Sequence, residues 1–123
     1  MSNLYKNLGE FTPDNLFAGS EVPFLVKGLT IGSGKKLKRG TVIAIKTDDN
    51  LADIVDSSKS DGLQNPYGIL TDDIDTTELD PSETENISVY ISGYFKSSAL
   101  TVLEADDIAD FELELRKLGI FIR

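Results

Sequence analysis

At 123 residues and 13.4 kDa the chain is long enough for one domain, and 40% hydrophobic and 27% charged residues suit a globular core with a polar surface. It contains no His and no Cys, which excludes imidazole bases, Ser-His and Cys-His nucleophile pairs, His- or thiolate-bound metals and disulfides. A net charge of −9 repels phosphate backbones, and the longest apolar run falls far short of the ~20 residues of a membrane helix. Neither nucleic acid nor membrane is an expected partner.

The first twenty residues carry Leu4, Tyr5, Leu8, Phe11, Leu16 and Phe17 without a period of 2 or 3.6, broken by Asn7, Gly9, Pro13, Asn15 and Gly19. No long apolar region follows the opening Met-Ser-Asn, so a secretory signal is not expected. The stretch reads as an arm, 1–20, that docks on its own domain or on a neighbouring protein. A single β-rich domain, 21–123, is expected after it.

From residue 22 the pattern is mostly β. An apolar run at 22–26 is followed by Gly28, Gly32 and Gly34, which are expected to mark turns. The basic cluster Lys35, Lys36, Lys38 and Arg39 is a candidate partner-facing patch and leads through Gly40 into Thr41-Val42-Ile43-Ala44-Ile45. That β-branched run predicts a strand buried on both faces. A weaker strand at 51–55, a Ser/Asp/Gly-rich loop at 56–66, a short strand at 67–70 and a long acidic connection at 72–86 follow. At 87–92 the alternation predicts a strand with Ile87, Val89 and Ile91 on one face and Ser88, Tyr90 and Ser92 on the other. Beyond it, Asp106 or Asp107 can cap a helix whose stripe is Ile108, Phe111, Leu115 and Leu118. Glu112 and Arg116 form an i,i+4 pair on it, and Gly119 stands where a left-handed terminating residue belongs. The segment 120–123 reads as a final strand.

Charge is unevenly spread. Residues 1–46 hold seven basic and three acidic groups, whereas 47–115 hold two basic and eighteen acidic. Such a division suits a partner at one pole and solvent at the other.

Site motifs fail on their spacing. Gly32-Ser33-Gly34-Lys35-Lys36 lacks the first Gly and the hydroxyl residue of a phosphate loop, so it reads as a turn with a basic rim. Counted from Asp73, an EF-hand needs Gly and Glu at its sixth and twelfth positions, where Glu78 and Thr84 stand. Pairs of carboxylates are too many to single one out, and aromatics for a sugar cleft are few. No catalytic residue, cofactor or metal site is expected, and the chain reads as a non-enzyme.

Landmarks in the second half carry a resemblance. In order they are Tyr67-Gly68-Ile69-Leu70, an acidic Thr-containing connection, the strand from Ile87 that ends in Ser92-Gly93-Tyr94-Phe95, the helix at 106–118 and the closing Gly119-Ile120-Phe121-Ile122. Arg39-Gly40-Thr41-Val42 stands upstream of them. This series, over about 37–123, resembles the head decoration proteins of tailed bacteriophages, the family of the phage lambda capsid-stabilising protein. The resemblance implies a mainly β fold of the β-clip kind, a bent two-stranded ribbon closing into an incomplete small barrel, with one short C-terminal helix and a flexible N-terminal arm. It further implies a homotrimer made in the bacterial cytoplasm that binds the major capsid protein on the outside of the expanded head at local threefold points. There it would stabilise the virion against packaged DNA, with the arm residues as candidate capsid contacts. The alternative is a small oligomeric β-module that binds a carbohydrate or receptor at a virion or cell surface, with Tyr5, Tyr67, Tyr90 and Tyr94 lining a shallow groove.

Overall fold

The computed structural model describes Leu16, Ala18 and residues 24–123. Among these residues eight strands and a C-terminal helix make the fold mainly β. They are β1 (Leu25–Gly32), β2 (Lys36–Leu37), β3 (Val42–Ile45), β4 (Leu51–Ile54), β5 (Gly68–Leu70), β6 (Ile74–Asp75), β7 (Thr84–Phe95) and β8 (Ile120–Ile122). The helix α1 (Glu112–Leu118) continues from a 3₁₀ turn at Ile108–Phe111.

Six strands form one sheet in the order β1-β4-β3-β5-β7-β8, and β1 also pairs with β7, so five of them close into a ring. The β1–β7 pair is a long antiparallel ribbon running from Leu25 opposite Ser92 to Gly32 opposite Thr84. A second, two-stranded sheet joins β2 to β6. Thr76, almost fully buried, staples the turn between β1 and β2. Its Oγ1 donates to Gly32 O at 2.8 Å and accepts from Lys35 N at 2.9 Å.

Period-two alternation sorts the core into two layers. Ile31, Ile43, Ala52, Leu70, Ile87 and Val89 come from all five ring strands and pack together, which makes them the filling of the ring. Their neighbours Val42, Ala44, Ile69 and Tyr90 face the other way and pack with Phe95, Phe111, Leu115, Ile120 and Leu16. The strand expected to be buried on both faces is so buried, because Ile43 enters one layer while Val42 and Ala44 enter the other.

Several local expectations change. Gly28 and Gly32 are strand residues rather than turns, since β1 is paired with β7 along its whole length. Gly34, with φ of 78°, does make the turn. The acidic connection is shorter than expected: Ile74 and Asp75 pair with β2, and β7 begins at Thr84. Both faces of β7 are used, for Tyr90 is as deeply packed in the helix-side layer as Ile87 is in the ring.

The helix is capped by Asp107, whose carboxylate accepts from Ala109 N, and it ends at Gly119 with φ of 97°. Phe111 and Leu115 are buried and Ile108 packs beside them, but Leu118 is 47% exposed. Leu118 occupies the last helical position, where the chain already turns through Gly119, and Ile120 on β8 fills the core in its place. Among the described residues, the helix ion pair is Glu114 with Lys117 at 3.6 Å rather than Glu112 with Arg116. The Arg116 guanidinium instead lies 5.7 Å from the centre of the Phe121 ring.

Candidate partner-binding surface

Of the six arm candidates, Leu4, Tyr5, Leu8, Phe11 and Phe17 lie outside the described residues. Leu16 lies inside the body. It is 1% exposed and packs in the helix-side layer, its carbonyl accepting from Lys96 N at 2.9 Å. Ala18 N donates to Tyr94 O at 2.8 Å, so this short stretch runs along the end of β7. In this chain Leu16 is therefore a core residue. Sequence reading grouped it with its neighbours because broken apolar patterns look alike whether they pack at home or abroad.

Exposed apolar residues occur elsewhere. Phe24, Leu25 and Val26 are 48%, 60% and 53% exposed at the start of β1. Phe24 rests edge-on against Tyr90, with ring centres 5.6 Å apart, while Leu25 pairs with Ser92. Ser92 in turn lies beside the Leu118–Gly119 corner, where a Cβ on Gly119 would be 3.7 Å from Ser92 Cβ. The apolar segment thus borders three adjacent strands, β1, β7 and β8. From the sequence 22–26 reads as an apolar run, and its exposure is invisible there, because such a run carries no mark of whether a second layer covers it.

The four basic candidates divide. Lys35 Nζ pairs with Asp53 at 2.7 Å, with both side chains part-exposed, a contact of about 0–1 kcal/mol. Arg39 is a tie within the body: its guanidinium donates to Thr71 O at 2.7 Å and to Tyr90 OH at 3.2 Å, and its backbone N donates to Asp73 at 2.7 Å. Lys36 and Lys38 are exposed, with Lys36 opposite Asp75 across the small sheet. A cleft of about 270 Å³ near Lys35 sets Lys46 and Lys59 among Asp49, Asp53 and Asp56, charges that largely neutralise one another.

Three carboxylates of the acidic connection are engaged by nearby backbone and hydroxyl donors. Asp73 receives Arg39 N, Asp72 receives Thr71 Oγ1 at 3.0 Å, and Asp75 receives Thr77 Oγ1 at 2.6 Å. Among the described residues no three His, Cys, Asp or Glu converge as a metal site would require. Of the tyrosines expected in a groove, Tyr5 lies outside the described residues and Tyr90 is buried between Phe24 and Phe95.

Two of these carboxylates tie acidity to stability. Hydrogen bonds from the hydroxyl and then the backbone N–H of Ser58 hold Asp56 below its ordinary value of 3.8, and Thr77 does the same for Asp75. A folded-state value below the unfolded one adds stability above the unfolded value, which is lost as pH falls through the lowered one. The melting temperature is therefore expected to fall on acidification below about 3.8, and to fall less steeply in Asp56→Asn/Asp75→Asn. Thermal melts at stepped pH from 6 to 2 check this, and parallel acid limbs would refute it.

A scan against protein families matches residues 6–120 to the family described as bacteriophage lambda head decoration protein D. The match takes in the ring, the helix and the first residue of β8. The chain belongs to the lambda head decoration protein D family. No curated protein matches the chain. As a head decoration protein it is a structural component of the phage capsid surface and not an enzyme. The surfaces above are thus those of a protein whose partner is a phage capsid.

Proposed function

We propose that this head decoration protein acts as a homotrimeric clamp, seated on the outside of the expanded head at local threefold positions and holding it against the pressure of packaged DNA. Confined DNA repels itself and loads the joints between capsid subunits. A clamp across those joints adds contact that must be lost before the shell opens, and many such sites act together.

The observation that carries this reading is the exposed Phe24-Leu25-Val26 segment, the point at which the N-terminal residues join β1. An apolar surface at the root of a candidate arm suits burial against another subunit of the assembly more than solvent. The arm proper is the stretch before Leu16, with Leu4, Tyr5, Leu8 and Phe11 as anchors and Phe17 as a further candidate contact. Such a segment gains main-chain hydrogen bonds by strand addition to the major capsid protein. Exposed Lys36 and Lys38 face the shell in this arrangement, with Lys35 and Arg39 fixing the loop that presents them. The acidic surface turns outward and keeps finished particles apart.

Deleting residues 1–14, which spares Leu16, is expected to weaken co-sedimentation with expanded empty heads at least about tenfold. The full chain is expected to raise the temperature at which those heads rupture. Heads that rupture at the same temperature with and without it would remove the clamp.

A further inference from the structure

The β1–β7 ribbon has two open edges, on opposite sides and at opposite ends. Thr71 N donates to Ser88 O, and β5 meets β7 at Val89 and Tyr90, so the backbone groups of Ser88 point toward β5. By alternation those of Asn86 and Thr84 point the same way, while those of Ile87 and Val89 point at β1. Opposite them, Leu29 and Lys27 turn their backbone groups inward to β7, which leaves Val26 and Gly28 facing out.

Among the described residues, neither outward edge is covered by another strand. Strand β4 pairs with β1 at Thr30 and Ile31, short of Gly28, and β5 stops short of Asn86. The outward groups of Val26 and Gly28, and of Thr84 and Asn86, meet no backbone partner among the described residues. Open edges next to exposed apolar side chains invite pairing with another chain.

The two edges complement each other. Lys27 sits in the middle of the first, within a segment that carries no acidic residue, whereas Glu85 sits in the middle of the second with Glu83 beside it. The first is bordered by exposed Phe24 and Leu25. Against the second lies a hollow of about 150 Å³ whose walls mix Leu70, Ile74 and Ile87 with Asp72, Asn86 and Ser88. The complementarity is therefore one of charge, a cation meeting carboxylates, with the exposed Phe24 and Leu25 beside it.

We propose that the occupant of each edge is a second copy of this chain: residues 26–28 of one copy pair with 84–86 of the next, with Lys27 opposite Glu85. The contact joins unlike surfaces, so it repeats head to tail rather than as a two-fold dimer, and in the trimer proposed above it closes after three copies. The inference rests on the trimeric reading above and gives that trimer its seam.

Cysteine pairing tests it, because the natural chain has no Cys. Within one molecule residue 27 lies opposite 89 and residue 85 opposite 31. Four positions along a strand separate them by about 13 Å, beyond the ~7 Å limit for a disulfide. Any bond in Lys27→Cys/Glu85→Cys must then join copies. Oxidation, in solution and on expanded heads, is expected to give covalent rings at three times 13.4 kDa, and each single variant to stop at dimers. Lys27→Glu and Glu85→Lys are each expected to weaken assembly on the order of tenfold, and the double exchange to restore it. Light scattering and lysine-directed cross-linking of the wild type report the trimer independently. A wild-type trimer with no covalent ring from the double-Cys variant overturns the seam and leaves the trimer standing. A wild type that is monomeric both in solution and on heads overturns both.

Discussion

Leu16→Ala is expected to lower stability by about 2–5 kcal/mol, although its position looks like part of an N-terminal arm. The side chain is buried in the helix-side layer, and its Cδ1 would lie 3.4 Å from a Cβ on Gly40, so it fills a site bounded by backbone on one side. Truncation to Ala leaves a cavity that β3 and β7, hydrogen-bonded into the ring, cannot collapse to fill. For a domain of this size the melting temperature falls by roughly 10 °C or more. Two truncations locate the boundary. Removal of 1–14 is expected to melt with the full chain, whereas removal of 1–18 also deletes Leu16 and the bonds to Lys96 and Tyr94 and is expected to melt at least as low as Leu16→Ala. A Leu16→Ala protein within about 0.5 kcal/mol of wild type would show that the stretch is dispensable to the core.

Phe95→Ala is expected to cost about 3–5 kcal/mol. Phe95 is fully buried at the end of β7, 5.7 Å from Tyr90 between ring centres, in the layer beneath α1. Its carbonyl accepts from Arg123 N at 2.9 Å, which ties the last residue of the chain to β7. Gly93 is part of the same packing. A Cβ there would lie 3.0 Å from the Phe95 ring, on backbone with φ of 145° that L residues rarely adopt. Removing the ring takes away the contact that joins β7, β8 and the helix. Leu113→Ala is the matched control, because Leu113 is 63% exposed and its loss is expected to stay within about 0.5 kcal/mol. Equal denaturation midpoints for the two variants would contradict the placement of Phe95.

The strands at 41–45, 51–55, 67–70 and 87–95 are apparent in the sequence because β-branched runs between Gly and Asp/Asn clusters have few other uses. Helix capping by Asp107 and termination at Gly119 are equally local, resting on one side-chain oxygen and one left-handed residue. The absence of His and Cys narrows the chemistry without any structure, and the ordered landmarks from Tyr67 to Ile122 point to the family. All of these are short-range or compositional properties, readable from neighbours along the chain.

Contacts distant in sequence decided the rest. Gly28 reads as a turn until β7, some sixty residues on, pairs with it. Leu16 reads as arm until Lys96 and Gly40 close round it, and Leu118 reads as core until Ile120 takes the place. Arg39 reads as surface charge until Thr71 and Tyr90 accept its protons. A residue's own chemistry states what it can pair with, and burial depends on which remote strand arrives beside it, because one apolar side chain gains nearly the same free energy against any dry partner.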